Sequence, residues 1–201
     1  RRLPVMFWIH GGGNTSGIKD YYNFSELIRR HQVLVVTINY RLGPLGWFTH
    51  PAIQGLQNGL DKTSNFGTLD IIEALKWVKK NIQNFGGDPN NITIFGESAG
   101  GHNVLSLLAS PLADGLFHKA ISQSGYTTSF TVEEAYGLDQ EAIPNNKLAS
   151  DRVLSTYDLS GYSSIKKLFH SNQQLYGEDY QRYLRSIDGK SLLETYKQIS
   201  K

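Results

Sequence analysis

With 201 residues, 39% of them hydrophobic and 11% aromatic, the chain is long enough to bury one sizeable core and has the composition of an ordinary globular domain. Its 20 Lys and Arg against 18 Asp and Glu give a formal charge of +2, and the absence of a basic run argues against a nucleic-acid partner. It has no cysteine, which excludes disulfides, thiolate metal sites and a cysteine nucleophile, and no apolar run approaches the roughly 20 residues that span a bilayer.

The chain starts at Arg1 and passes almost at once into an apolar segment, with no leader before it. We therefore expect the true N-terminus to be missing, and any signal peptide with it. Proteins without cysteine occur both inside and outside the cell, so the sequence leaves the compartment open.

Apolar strands alternate with helices in the first part of the chain. Leu3–Ile9 is rich in β-forming residues and predicts a buried strand that ends in a glycine turn. A helix near Tyr21–Arg30 and a second apolar strand, Val33–Asn39, follow. Two near-continuous apolar strands separated by a helix indicate an α/β fold with a mostly parallel sheet and helices on both faces.

A second set of elements follows the loop that runs from Arg41 to about Asn65. Apolar residues at helical spacing predict a helix over Thr68–Asn84, which the turn formers of Phe85–Pro89 end. Ile92–Phe95 is predicted as the third strand, and an apolar helix begins near Ala99.

The last predicted strand is Ala120–Gln123, after which the composition changes. From Tyr126 onward the chain is polar, rich in tyrosine and mostly helical in pattern. We find no internal repeat, low-complexity tract or linker, so the sequence predicts one domain, with a sheet core over residues 1–125 and a helical segment over 126–201.

The pentapeptide Gly96-Glu97-Ser98-Ala99-Gly100 joins the third predicted strand to the next helix. A sharp strand-to-helix turn strains the backbone of its serine, and the flanking glycines leave room for neighbouring segments. The Gly-Xaa-Ser-Xaa-Gly pattern alone is weak, because a surface turn matches it by chance, but its strand-then-helix context is that of a nucleophile elbow. The context predicts that Ser98 is a nucleophile.

The run His10-Gly11-Gly12-Gly13 ends the first predicted strand. Attack of a serine on an acyl carbonyl builds negative charge on the oxygen, which preorganised backbone N–H groups stabilise. Glycines let such groups converge, and the N–H of Ala99 at a helix start adds another donor. Three glycines after a strand also fit a plain turn, but together with the serine motif they favour acyl transfer.

The chain resembles the type-B carboxylesterase family, which includes bacterial carboxylesterases, lipases and the cholinesterases. The resemblance runs from Leu3 to about Gly125 and is most specific in Phe85–Pro89 and Ile92–Gly101. Other matching segments are Trp8–Gly13, Asn39–Gly43, Leu45–Phe48, Asn65–Gly67, Leu69-Asp70 and Leu116–Gly125. It implies the N-terminal part of an α/β-hydrolase fold that hydrolyses small-molecule carboxylic esters through a serine acyl-enzyme, without metal or cofactor.

The resemblance also implies a role for each site residue. Ser98 is implied to be the acylated nucleophile. The implied oxyanion-hole donors are the N–H groups of Gly12, Gly13 and Ala99. Gly11 and Glu97 are implied to lie near the site, where Glu97 either has a local electrostatic role or satisfies nearby buried donors.

Three further residues of the matching region are expected to lie outside the catalytic group. Arg41 and Asp70 are expected to belong to buried polar scaffolding. Asn14 departs from the family pattern, in which an apolar or aromatic residue often follows the glycines, and is expected to alter the acyl or alcohol pocket. The segment from Tyr126 onward matches only loosely, so substrate preference is not readable from it.

A serine hydroxyl needs a base, normally a histidine held by a carboxylate, and this fold orders them as serine, acid, histidine. The histidines after Ser98 are His102, His118 and His170, and we expect each to be structural or at the surface. The resemblance implies that the triad acid and histidine lie beyond Lys201, in the missing C-terminal part of the same protein.

Two other interpretations stay open. One is a catalytically inactive, cholinesterase-like interaction module, against which the intact Ser98 argues. The other is a truncated remnant, because removing half of a cooperative sheet exposes apolar strand edges and weakens folding. On the leading interpretation the chain supplies the nucleophile and oxyanion hole but has little triad-based activity alone.

Overall fold

The computed structural model describes residues 2–54, 57–136, 150–154, 156–157 and 178–199. Contacts divide the chain into two compact units. The sheet unit comprises Arg1–Leu42 and Gly67–Thr128, and the helical unit comprises Gly43–Phe66 and Ser129–Lys201. This division defines compact units rather than independently folding domains, so the expectation of a single domain stays a prediction.

The sheet unit contains four strands, all paired in parallel. They are β1 (Leu3–Ile9), β2 (Leu34–Thr37), β3 (Gly87–Glu97) and β4 (Lys119–Gln123), in the spatial order β2-β1-β3-β4. The register aligns Trp8 with Thr37 on one side and with Phe95 on the other, and Phe95 with Ile121. The predicted parallel sheet is confirmed.

Helices alternate with these strands along the chain, in the order expected of an α/β fold. In the described ranges the α-helices are α1 (Ser25–Arg30), α2 (Pro44–Trp47), α3 (Pro51–Gln54), α4 (Phe66–Asn81), α5 (Ala99–Ala109), α6 (Val132–Tyr136), α7 (Ser150–Leu154), α8 (Glu178–Ser186) and α9 (Gly189–Ile199). Short 3₁₀ helices cover Gly59–Thr63, Ile82–Phe85 and Pro111–Ala113. Helix α4 and the 3₁₀ turn after it replace the single helix that the sequence predicts over Thr68–Asn84.

The bounds of three other elements differ from the prediction. Helix α1 begins at Ser25 rather than near Tyr21, because the side chain of Asn23 accepts the Ser25 N–H and holds the preceding residues outside the helix. Strand β2 is shorter than Val33–Asn39. Strand β3 starts at Gly87, which pairs with Leu3 ahead of an irregularity in the register, although the sequence places turn formers there.

The core of the sheet unit follows the two-residue alternation of strands. Val5, Phe7 and Ile9 of β1 and Ile92 and Ile94 of β3 are fully buried on one face. Four aromatic rings pack on the opposite face, with the centroids of neighbouring rings 4.8–6.4 Å apart: Trp8, Phe95, Tyr22 and Phe24. The strands are therefore held on both faces by apolar contacts.

An ion pair joins the segment after β2 to helix α4. The Arg41 guanidinium donates to both carboxylate oxygens of Asp70 at 2.8 and 2.7 Å, and the Arg41 backbone N–H donates to the same carboxylate at 2.9 Å. The side chains are 50% and 29% exposed. The expectation that Arg41 and Asp70 form buried scaffolding is therefore wrong: the pair is structural but open to water.

The helical unit has its own small core. Ala52 of α3, Leu154 of α7 and Leu184 of α8 are buried together, and partly buried apolar side chains pack against them: Phe48, Ile53, Tyr157, Tyr183 and Ile187.

His170 lies outside the described residues. Across the described part of the chain, no helix combines the length and apolar character that crossing a membrane requires.

Candidate active site

Ser98 occupies the turn between β3 and α5. It is the N-cap of α5, with φ 56° and ψ −122°, a backbone conformation that side-chain-bearing residues rarely adopt. Its N–H donates to the Gln123 carbonyl of β4 at 2.9 Å, and its carbonyl accepts the His102 N–H at 2.9 Å. The strained serine is thus fixed from the sheet side and from the helix side, and its side chain is half-buried.

The tightness of this turn explains the glycines around the serine. A Cβ on Gly100 would overlap the carbonyl oxygen of Ile9, and a Cβ on Gly96 would lie 2.5 Å from the Gly100 backbone. Only glycine lets the first turn of α5 approach the end of β1 so closely. This close approach brings the end of β1 beside the serine turn.

The glycine loop that follows β1 runs past Ser98. A Cβ placed on Gly11 would lie 3.2 Å from the Ser98 Cβ, 2.6 Å from the Glu97 carbonyl oxygen and 3.1 Å from Glu97 Oε2. Gly12 and Gly13 come next, both exposed and with φ of 102° and 64°. The structure therefore brings Gly11, Glu97 and Ser98 into direct proximity.

Hydrogen bonds fix the orientation of two peptide groups in this loop. The Gly12 carbonyl accepts the N–H groups of Thr15 and Ser16 at 3.1 and 3.0 Å, and the hydroxyls of both residues lie within 3.3 Å. The Gly11 carbonyl accepts His10 Nδ1–H at 2.8 Å. In a planar trans peptide the N–H points opposite to the carbonyl, so the N–H groups of Gly12 and Gly13 face away from these partners.

The backbone N–H of Ala99 lies at the start of α5. Ala99 is the first residue of this helix, where helical N–H groups lack an intrahelical partner and the helix dipole favours negative charge. Its side chain is fully buried, which fixes the start of the helix. The free N–H groups at the start of α5 therefore follow Ser98 directly in the chain.

A polar network links Asn14, which the sequence analysis singled out as a departure from the family pattern, to Asn103 and Tyr40, which it did not. Asn14 and Asn103 exchange two side-chain hydrogen bonds, of 3.3 and 2.9 Å, and the Tyr40 hydroxyl donates to the His10 carbonyl at 2.5 Å. The rings of Tyr40 and His10 stack at 4.5 Å. Burial raises the pKa of Tyr40 well above its usual range; the Asn103 hydrogen bond opposes this shift and Tyr126 adds to it. Tyr40 therefore stays protonated and remains a donor.

The two described histidines that follow Ser98 have backbone partners. His102 Nδ1 lies 2.6 Å from the Tyr126 carbonyl, and its ring stacks on that of Tyr126 at 4.3 Å. His118 Nδ1 accepts the Ile92 N–H at 3.1 Å. In the described part of the chain, no hydrogen bond joins a histidine side chain to Ser98.

The next feature is the placement of side chains that could bind a metal. Within those ranges, no group of three or more His, Asp or Glu side chains is arranged to hold a metal ion. The N–H groups at the start of α5, directly after Ser98, lack intrahelical partners, and the Glu97 carboxylate lies near the Gly11 backbone.

The chain is similar to known esterases in sequence and in structure. The para-nitrobenzyl esterase of Bacillus subtilis (strain 168) is 47% identical over 137 residues, which are 67% of this chain and 27% of that protein. The cocaine esterase of Homo sapiens is 50% identical over 123 residues, 61% of this chain and 21% of that protein. The crystal structure of a Geobacillus stearothermophilus carboxylesterase superposes with a TM-score of 0.71 at 36% identity, covering 96% of this chain and 35% of that one.

These matches agree with the described sheet and its flanking helices. The chain spans 27% and 21% of the length of the two curated relatives. The similar solved structures are esterases of the α/β-hydrolase fold, so the predicted fold class is confirmed. The sequence profile of the carboxylesterase family matches residues 1–154. The chain therefore belongs to the carboxylesterase family, as its resemblance at the sequence level predicted.

Proposed function

We propose that this chain carries the nucleophile and the oxyanion hole of a serine hydrolase that acts on small-molecule carboxylic esters. The observation that carries the proposal is the strained backbone of Ser98 at the start of α5, with the glycine loop directly beside it. Strain held by surrounding hydrogen bonds is typical of functional sites. Family membership, and relatives whose names are those of esterases, support the same reaction.

In the acylation step, Ser98 Oγ attacks the ester carbonyl carbon and forms the new C–O bond. The hydroxyl proton passes to a general base, and the carbonyl oxygen takes up the negative charge. The N–H groups of Gly12, Gly13 and Ala99 donate to that oxygen. The Gly11 and Gly12 carbonyls, which share peptide groups with the first two donors, are held by hydrogen bonds, and Ala99 is held by the start of α5. These donors therefore need little reorganisation as charge develops.

Collapse of the tetrahedral intermediate breaks the ester C–O bond, and the protonated base gives its proton to the departing alcohol. Water then attacks the acyl carbonyl carbon and gives a proton to the base, and the same N–H groups stabilise the second oxyanion. Its collapse breaks the bond between Ser98 Oγ and the acyl carbon, the base returns the proton to Oγ, and the acid is released. No step requires a metal or an organic cofactor. Glu97, whose Oε2 lies near the Gly11 backbone, adds negative potential that favours a cationic base over a neutral one.

The general base and its carboxylate are assigned to polypeptide outside these 201 residues. Two observations support this part of the proposal. His102 and His118 use Nδ1 in contacts with backbone groups, as structural histidines do. The chain also spans only 27% of the para-nitrobenzyl esterase that it resembles.

Covalent labelling tests the proposal. The purified chain is treated with an alkyl fluorophosphonate, in which serine attack on phosphorus expels fluoride, and adducts are read by intact mass and peptide mapping. Ser98→Ala is the test variant, and Ser106→Ala, on the same helix, is the matched control. We expect one adduct at Ser98, kept in Ser106→Ala and lost in Ser98→Ala.

Added imidazole tests where the base resides. If the base lies outside this chain, imidazole in solution should accelerate adduct formation at Ser98, while Ser98→Ala reports the background reaction. Fast labelling that imidazole does not change would place a working base within these residues. A folded chain that is not labelled at Ser98 even with imidazole would contradict the proposed nucleophile and favour an inactive interaction module.

A further inference from the structure

Asn14 and Asn103 form a reciprocal pair of amides, although 89 residues separate them in sequence. Asn14 Nδ2 donates to Asn103 Oδ1 at 3.3 Å, and Asn103 Nδ2 donates to Asn14 Oδ1 at 2.9 Å. Asn103 is only 3% exposed and Asn14 is half-buried. Loss of Asn14 leaves the buried amide of Asn103 without these two hydrogen bonds, and loss of Asn103 leaves the half-buried amide of Asn14 without them.

The pair joins the two segments that carry the proposed oxyanion donors. Asn14 directly follows Gly12 and Gly13, and Asn103 lies on α5 four residues after Ala99. Four residues correspond to about one helical turn, so Asn103 and the Ala99 N–H belong to one rigid element. A change in the amide pair therefore moves the glycine loop relative to the helix start.

The backbone of the loop makes such a tether useful. Gly12, Gly13 and Asn14 all have positive φ, and glycine at such positions has a wide range of accessible conformations. Tyr40 fixes the base of the loop through its bond to the His10 carbonyl, and its hydroxyl also lies 3.4 Å from Asn14 Oδ1. The Asn14–Asn103 pair holds the far end of the same loop.

We propose that the Asn14–Asn103 pair is a clasp that sets the distance between the N–H groups of the glycine loop and the Ala99 N–H. Asn14 and Asn103 are thus positioning residues of the oxyanion hole, an inference that rests on the proposed function. Two opposed amides suit this task, because two directional bonds fix both separation and orientation, whereas an apolar contact fixes neither.

The test uses Asn14→Gly, Asn103→Ala and the double variant. Glycine keeps the positive φ of position 14 accessible but adds backbone freedom, whereas Asn103→Ala, inside helix α5, removes the same pair without that addition. Asn81→Ala is the matched control, because its exposed amide bonds a backbone carbonyl at the end of α4. Fluorophosphonate labelling is followed over time at several probe concentrations, which separates the saturating rate constant from the half-saturating concentration and from the labelled fraction.

Each single variant should lower the saturating rate constant on the order of tenfold, with little change in the half-saturating concentration. The double variant should be no slower than the slower single variant, because both remove the same clasp. Asn81→Ala should label at the wild-type rate. Wild-type rate constants in both single variants, or multiplied effects in the double variant, would overturn the inference, as would a smaller labelled fraction at an unchanged rate.

A second measurement separates this inference from the proposed function. Amide hydrogen exchange of Thr15 and Ser16, whose N–H groups donate to the Gly12 carbonyl, should become at least about tenfold faster in Asn103→Ala than in Asn81→Ala, since the loop loses its tether. Unchanged exchange overturns the clasp whether or not Ser98 reacts. Faster exchange in a chain that is not labelled supports the clasp as a tether of the loop, and only the proposed function then fails.

Discussion

The N–H of Ser98 donates to the carbonyl of Gln123 across the β3–β4 pair, at 2.9 Å. Glu97 and Gln123 are the last paired residues of the two strands. The bond from Ser98 therefore continues the hydrogen bonding between β3 and β4 by one residue into the turn. On the other side, the Ser98 carbonyl accepts the first hydrogen bond of α5. Strand β4 and helix α5 are stabilised by their own contacts, and together they hold the strained backbone of Ser98. Strain persists in a native structure when the surrounding elements fix the conformation in this way.

This strain predicts an inverted order of stability between two variants of the serine. At φ 56° and ψ −122°, alanine keeps the strain but glycine relieves it. Ser98→Gly should therefore be more stable than Ser98→Ala by about 1 kcal/mol, although glycine usually destabilises relative to alanine. Urea unfolding of both variants measures the difference, and a less stable glycine variant would show that the turn is unstrained.

Gly100 allows a close contact that no other residue fits. In Gly100→Ala the new methyl group would overlap the Ile9 carbonyl oxygen, so α5 must move away from β1. We expect a loss of about 3 kcal/mol in the free energy of unfolding, from urea titrations.

The matched control for this prediction is Gly189→Ala at the start of α9. A Cβ there meets only Leu45 Cδ2, at an ordinary 3.5 Å. We expect Gly189→Ala to be neutral or to stabilise by up to about 1 kcal/mol. Equal effects of the two substitutions would contradict the steric argument for Gly100.

Much of the sheet unit is predictable because its signals are local. The apolar run Leu3–Ile9 has the same bounds in the structure as in the prediction, and Lys119–Gln123 extends the predicted fourth strand by one residue. The serine pentapeptide lies at a strand-to-helix turn, as predicted. In each case the residues that determine the conformation are neighbours in the sequence.

The features that the sequence missed depend on distant partners. Nothing local indicates that Asn14 faces Asn103, because their meeting depends on how far the loop after β1 extends over α5. The exposure of the Arg41–Asp70 pair likewise depends on which segments cover it. The identity of the two charged residues does not indicate those segments. Gly87 joins β3 because Leu3 lies opposite it, against the local preference of its Gly-Asp-Pro sequence for a turn.

The Arg41–Asp70 ion pair predicts a modest dependence of stability on acid. Partial burial raises the pKa of Asp70, but the hydrogen bonds from Arg41 outweigh it and hold that pKa below its ordinary value. The pair therefore stabilises fully above the unfolded pKa, and this contribution is lost as the pH falls through the lower, folded value.

Asp70→Asn should lower the free energy of unfolding at pH 7 by about 1 kcal/mol or less, because the pair is open to solvent. At pH 2 the variant and the wild type should differ less. Urea titrations at both pH values measure this, with Glu73→Gln, whose exposed partner is Lys76, as the control. A difference that grows towards low pH would contradict the lowered pKa.

His50 predicts a stronger loss of stability in mild acid. It is only 1% exposed, its Nδ1 accepts the Ala52 N–H at 3.2 Å, and burial lowers its pKa to about 4. The unfolded pKa is about 6.5, so between these values the unfolded chain binds the extra proton. Stability is therefore fully present above pH 6.5 and falls by about 1.4 kcal/mol per pH unit towards pH 4 from this residue alone.

His50→Asn removes this titration and keeps an acceptor at the start of α3, where asparagine is a favourable N-cap. The variant should lose much less stability than the wild type between pH 7 and pH 5, measured by urea unfolding at each pH. The control is His31→Asn at the exposed end of α1, which should follow the wild-type curve. Replacing a histidine that is buried in its neutral form removes the proton that it takes up on unfolding, so the pH dependence of stability must change. If His50→Asn instead shows the same pH dependence as the wild type, the acid sensitivity arises from other residues.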